Sequence, residues 1–168
     1  MQIMLYIIII LLLLYVLLIL YYWKSWVSIP GFKPQTANHK PQTKITVIIP
    51  ARNEEEHIAS CLDSICSQSY PKKMFEVLVV DDHSNDSTAA IVNSYADKNV
   101  KLISLKDFIP AGEINSYKKK AIEIAITQSS GELIVTTDAD RFAKENWLQT
   151  IAAFYEESDP AFTAAPVA

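Results

Sequence analysis

One segment limits the choice of fold before any other: from Ile3 to Tyr22 the chain is an almost unbroken run of Ile, Leu, Val and Tyr without a single charge. About 20 such residues, at about 1.5 Å each in a helix, span the roughly 30 Å hydrocarbon core of a bilayer. Tyr21, Tyr22, Trp23 and Trp26 follow, rings of the kind that settle among lipid headgroups, and then Lys24, Lys33, Lys40 and Lys44. No Lys or Arg precedes the run, so the positive-inside rule puts the rest of the chain in the cytoplasm and the amino terminus outside. A cleaved signal peptide needs a basic start, a shorter apolar stretch and a small-residue cleavage site, and the sequence has none of them. The expectation is a single-pass anchor in the cell membrane over residues 1–23 and a juxtamembrane linker over 24–43 carrying Pro30, Pro34 and Pro41. The folded part then occupies 44–168.

Apart from the anchor, the chain has room for one domain. Its net charge of −4 and the lack of a clustered basic face argue against nucleic acid as a partner. Cys61 and Cys66 lie five apart in a stretch with helical spacing, so they face different ways and form neither a disulfide nor a metal pair. Both read as buried thiols of a reducing compartment.

From Lys44 onward, short apolar runs alternate with amphipathic patterns. Ile45 to Ile49 is apolar at nearly every position, as a strand buried on both faces of a parallel sheet requires, and Pro50 ends it. A helix is expected from about Asn53, with Ile58, Leu62, Ile65 and Cys66 on one side, closing at Gln68 to Lys72. Phe75 to Val80 reads as the second strand, and Asp86 to Ala96 as a helix buried through Ala89, Val92 and Ala96. Val100 to Leu105 is the third strand and Lys106 to Ser116 a loop. Tyr117 to Thr127 is a helix with Ala121, Ile122, Ala125 and Ile126 inward, and Glu132 to Thr137 the fourth strand. A last helix carries Trp147, Leu148, Ile151, Ala152 and Tyr155, and Phe162 to Val167 is the candidate fifth strand. The fold class is α/β: an open, mainly parallel sheet with flanking helices, preceded by one transmembrane helix.

Ligands of such sheets bind beyond the carboxyl ends of the strands, and those ends are polar here. After the first strand stands Pro50-Ala51-Arg52-Asn53-Glu54-Glu55-Glu56, after the second Asp81-Asp82-His83-Ser84-Asn85-Asp86, and after the fourth Asp138-Ala139-Asp140. Asn53 with Glu56 fits a helix cap, as do Ser84, Asn85 and Asp86 for the next helix. Asp81 and Asp82 resist that account, because adjacent carboxylates repel and only one can cap. Asp138 and Asp140, one residue apart on a turn, suit a shared hard divalent cation whose other positions go to phosphate oxygens and water. Lys118, Lys119 and Lys120 read as a solvated run, with Lys118 the candidate to face a diphosphate. His57 and His83 have no acid or cysteine at ligand spacing and read as non-catalytic.

Taken together, Val47 to Glu54, Val79 to Thr88, Lys118 to Ile122 and Gly131 to Asp140 resemble, in order and spacing, the family 2 glycosyltransferases. The resemblance implies the GT-A (Rossmann-like) fold and inverting transfer of a sugar from a nucleotide diphosphate donor, with a UDP-sugar favoured. It implies that Pro50, Ala51, Arg52 and Glu54 line the base and ribose pocket, that Asp82 accepts a hydrogen bond from the base, and that Lys118 lies near the diphosphate. Asp138 would hold the ribose or a metal-bound water, and Asp140 would ligate manganese or magnesium. The implied acceptor is a cell-envelope polysaccharide or a lipid-linked glycan. Arg52 stands where a tyrosine is frequent, and Tyr117 where a glycine usually precedes the lysine. The family's general base lies much farther along than Asp140, and Glu145, Glu156, Glu157 and Asp159 do not fit it, so the chain is expected to be a truncated donor-binding half. A catalytically inactive, membrane-tethered nucleotide-sugar-binding module is the alternative. A nucleotidyltransferase is a weaker fit, because it wants a glycine-rich loop after the first strand and the chain has only Gly31, Gly112 and Gly131.

Overall fold

The computed structural model describes residues 2–28, 32, 42–109 and 117–163. It divides into two compact units, Met1–Lys33 and Pro34–Ala168. The first is built on α1 (Gln2–Val27), 26 residues long and exposed along its length. Being apolar on nearly every side, α1 has no single face to lay on a protein core. It is long and apolar enough to cross a membrane. Ser28 closes it, with its N–H donating to the Lys24 carbonyl at 3.0 Å and its hydroxyl to the Ser25 carbonyl at 2.8 Å. The prolines of the expected linker lie outside the described residues.

The second unit is a sheet of four parallel strands, β1 (Ile45–Ala51), β2 (Phe75–Asp81), β3 (Val100–Ser104) and β4 (Leu133–Thr136), in the order β3-β2-β1-β4. The central strands β1 and β2 are buried almost throughout, whereas the edge strands β3 and β4 are partly exposed. The period-2 alternation sorts their side chains between two cores. Ile45, Val47, Ile49, Val77 and Val79 pack with Ile58, Leu62 and Ile65 of α2 (Ile58–Cys66), Val92 of α3 (Thr88–Asn93) and Leu148 and Ala152 of α5 (Trp147–Ser158). Ile48, Leu78 and Val80 pack on the other face with Ala121, Ile124 and Ala125 of α4 (Tyr117–Gln128). Right-handed crossovers explain the division: α2 and α3 carry the chain outward from β1 to β3, and the return to β4 reverses direction and so uses the opposite face. The reversal puts the topological switch point between β1 and β4.

A buried carboxylate ties the other end of the sheet together. Glu76 of β2 is 3 % exposed and accepts from the Thr46 hydroxyl at 2.9 Å, the Ser130 N–H at 2.7 Å, the Ser130 hydroxyl at 2.6 Å and Lys101 Nζ at 3.3 Å. Burial pushes its pKa up, but the hydrogen bonds from Ser130, Thr46 and Lys101 outweigh burial and hold it at about 2. Gly131 then runs so close to β1 that a Cβ there would sit 2.4 Å from the Thr46 nitrogen.

Several expectations are corrected. α2 starts at Ile58, not near Asn53, because residues 52–57 form a loop bonded to its neighbour. The helix after β2 is only Thr88–Asn93, and Ala96 is exposed in a short 3-10 turn, Ala96–Lys98. In α4 the inward position is Ile124, while Ile126 is exposed, since Ala121, Ile124 and Ala125 complete a narrower stripe. Phe162 is exposed and not in a strand, and 164–167 of the candidate fifth strand lie outside the described residues. So does 110–116 of the expected loop, which opens as a 3-10 turn, Leu105–Asp107. Both cysteines are free; Cys61 is buried and Cys66 only half-buried.

Candidate functional site

At the carboxyl end of β1, Pro50 is half-buried, Ala51 buried and Arg52 exposed. Beyond them the loops after β1 and β2 are stitched together. Asn53, at φ 54°, donates its N–H to the Ser84 hydroxyl at 3.0 Å and accepts from the Asn85 N–H at 2.9 Å. The Glu54 N–H donates to the Thr88 hydroxyl at 2.8 Å and the Glu55 N–H to Asp86 Oδ2 at 3.2 Å, while Glu55 Oε2 accepts from the Ser87 N–H at 2.9 Å. Asn53, Glu55 and Ser84 thus clasp two loops and do not cap helices: α2 and α3 have His57 and Ser87 at their N-caps, neither making a side-chain capping bond. Asp86 does accept from the Thr88 hydroxyl and N–H at the start of α3, and the hydroxyl first of all holds its carboxyl below the usual range.

The two adjacent acids at the end of β2 have different partners. Asp81 is buried and accepts from the Ser84 N–H at 3.3 Å. Asp82, with its own N–H on the Ala51 carbonyl at 2.8 Å, meets Arg52 Nη1 at 3.5 Å through Oδ2 and His83 Nδ1 at 3.1 Å through Oδ1. The sequence showed no acid at ligand spacing from His83; its acidic contact is the adjacent Asp82.

After β4, the Thr137 N–H donates to the Ile48 carbonyl at 3.1 Å, continuing the ladder. Ala139 turns into the core, 3 % exposed, so Asp138 and Asp140 on either side project outward, their side chains 50 % and 52 % exposed. Lys118 Nζ lies 2.5 Å from Asp138 Oδ1, and Arg141 Nε 3.5 Å from Asp140 Oδ1. The turn is fastened to α2: Cys61 Sγ reaches the Asp138 carbonyl at 3.7 Å, and the Ala143 N–H donates to the Ser64 hydroxyl at 3.0 Å. Burial pushes the Cys61 thiol up to about 11, which makes it a packing group here.

β2 and β4 flank β1, so the segments that carry Asp82 and Asp140 both leave the carboxyl rim of the sheet. A cleft of about 530 Å³ lies there, lined by Asn53, Glu54, Glu55, Glu56, His57, Asp86 and Asp140. Among the described residues no three His, Cys, Asp or Glu side chains converge on one point. Two exposed carboxylates on a turn therefore fit a cation that brings other ligands with it, such as diphosphate oxygens. A larger cleft, about 800 Å³, lies at the amino ends of β1 and β4 among Thr43, Glu132, Tyr155 and Glu156, the wrong end of a parallel sheet for a ligand site.

The model of glycosyl transferase family 2 matches residues 46–167, from the second residue of β1 to beyond α5. The chain belongs to the family 2 glycosyltransferases. The poly(ribitol-phosphate) beta-N-acetylglucosaminyltransferase TarS of Staphylococcus aureus is 38 % identical over 116 residues, which are 68 % of this chain and 19 % of TarS. This family 2 chain therefore spans about a fifth of that relative. The crystal structure of TarS 1-349 in complex with UDP superposes with a TM-score of 0.60 at 33 % identity, covering 73 % of this chain and 38 % of that one. The mannosyltransferase PcManGT from Pyrobaculum calidifontis, solved with GDP-Man and Mn2+, gives a TM-score of 0.66 at 31 % identity over 84 % of this chain and 40 % of that one. The parallel sheet with its flanking helices is that of the GT-A fold.

Proposed function

We propose that this chain is the donor-binding part of a membrane-anchored, metal-assisted, inverting glycosyltransferase that takes a UDP-sugar. What supports the reading is that, in a family 2 fold, Asp82 follows β2 and the outward pair Asp138 and Asp140 follows β4, both at the carboxyl end of one parallel sheet. Arg52, Pro50, Ala51 and Glu54 form the wall for base and ribose, and a guanidinium can stack on a base where other members use an aromatic ring. Asp82, an acceptor when ionised, suits the imide N–H of uracil. Lys118 is within reach of Asp138 and suits the diphosphate.

Asp140 and Asp138 would hold manganese or magnesium, which in this chemistry neutralises the charge that develops on the departing nucleoside diphosphate. Around a site walled by Glu54, Glu55, Glu56 and Asp86, a bare diphosphate would be repelled, so the cation and the donor are expected to bind together. Residues 1–23 serve as the anchor and 24–43 as the linker, with the transferase part in the cytoplasm. The acceptor is a cell-envelope polysaccharide or a lipid-linked glycan, a choice supported by relatives named for poly(ribitol-phosphate).

Calorimetry on the full chain in detergent micelles tests this. UDP should bind only with Mn2+ or Mg2+ present, and Asp140→Ala should abolish the binding. UDP binding that ignores the metal would refute the role of Asp140, and no binding of UDP under any condition would refute the donor assignment.

A further inference from the structure

His83 is held from every side although nothing in the reaction described above uses it. Its ring is half-buried, the side chain 11 % exposed, and its backbone lies at φ 55°, which few non-glycine residues adopt. Nε2 lies 3.1 Å from the Ile109 carbonyl oxygen and Nδ1 3.1 Å from Asp82 Oδ1. The Tyr117 ring meets it edge-on, with centroids 5.7 Å apart. Ile109 is itself buried in the core packed by α4, and its N–H donates to the Leu105 carbonyl at 2.9 Å. A carbonyl only accepts, so Nε2 is the donor on that side, and only a ring carrying protons on both nitrogens also donates from Nδ1 to the carboxylate.

We propose that His83 is a positioning residue for recognition of the nucleotide base: it fastens Oδ1 of Asp82 to the core and leaves Oδ2 to the ligand. Among the described residues Oδ2 meets Arg52, loosely at 3.5 Å and from a side chain that is 56 % exposed, so that partner can exchange for a base N–H. Without the ring the carboxylate would be free to rotate, and the site would have to order it on binding. The Tyr117 ring adds an edge-on contact to the imidazole. The inference rests on the reading of Asp82 as the base acceptor.

The test is calorimetry of the full chain in micelles with Mn2+ and either UDP or inorganic pyrophosphate, which lacks the base. His83→Phe should weaken UDP about tenfold, as expected when a charge-assisted hydrogen bond is lost, and leave pyrophosphate within about twofold. His83→Asn tolerates positive φ and places an N–H where Nδ1 was, so it should keep UDP affinity within about threefold of wild type. In wild-type protein with 15N-labelled histidine, the His83 ring signals should shift with UDP and stay still with pyrophosphate, a readout that stands even if His83→Phe does not fold. Equal losses for UDP and pyrophosphate, an unaffected His83→Phe, or ring signals indifferent to UDP would overturn the role of His83 alone. Failure of the wild type to bind UDP would overturn the donor assignment, and this inference with it.

Discussion

Replacing Glu76 by glutamine removes a carboxylate that the sheet encloses. Its pKa of about 2, against 4.5 for a free glutamate, corresponds at about 1.36 kcal/mol per unit to roughly 3 kcal/mol of stability. The side chain is only 4 % exposed, so solvent screening takes little from that figure. A depressed carboxyl contributes its full amount above the unfolded value and loses it as pH falls through the folded one, so the contribution should fade between about pH 4.5 and pH 2. With a urea dependence of about 2 kcal/mol per molar, Glu76→Gln should lower the midpoint by about 1.5 M at pH 7. Urea titrations in micelles, followed by hydrogen exchange of the β1 and β2 amides, measure this at pH 7 and at pH 2.5. The wild-type advantage should be large at the first and mostly gone at the second. An advantage that does not change with pH would refute the claim that an ionised Glu76 ties the strands together.

Two further outcomes follow from the same contacts. Gly131→Ala would put a Cβ 2.4 Å from the Thr46 nitrogen and 2.7 Å from the Ile45 carbonyl carbon, so it should cost several kcal/mol in a thermal melt, and wild-type stability would show that β1 and the turn before β4 separate easily. Lys118→Ala breaks an ion pair whose partners are 64 % and 50 % exposed, so the melting temperature should hardly move while UDP affinity with Mn2+ falls about tenfold; a large drop in melting temperature with intact binding would make Lys118 structural.

The sheet was legible in the sequence because β1 and β2 are covered on both faces, which forces unbroken apolar runs such as Val47-Ile48-Ile49. The rim was legible because three acidic clusters follow strand ends. What escaped were bonds between distant segments. Asn53 has the look of a helix cap, yet it adopts positive φ and bonds across to Ser84 and Asn85, so α2 starts five residues later. His83 showed no partner at ligand spacing, because one partner is its immediate neighbour and the other a backbone carbonyl 26 residues away, and main-chain acceptors leave no trace in residue identity. Glu76, enclosed in a largely apolar strand, finds its donors in β1, β3 and the turn before β4.

The central claim is that acids from separate strand ends serve one bound sugar nucleotide. A crystal structure of the chain with UDP and Mn2+, with the metal located by its anomalous scattering, tests it most directly. The account predicts a single manganese bonded to the Asp140 carboxylate and to the diphosphate, with the uracil against Asp82. Manganese in the cleft around Thr43, Glu132 and Glu156, or a base held away from Asp82, would contradict it.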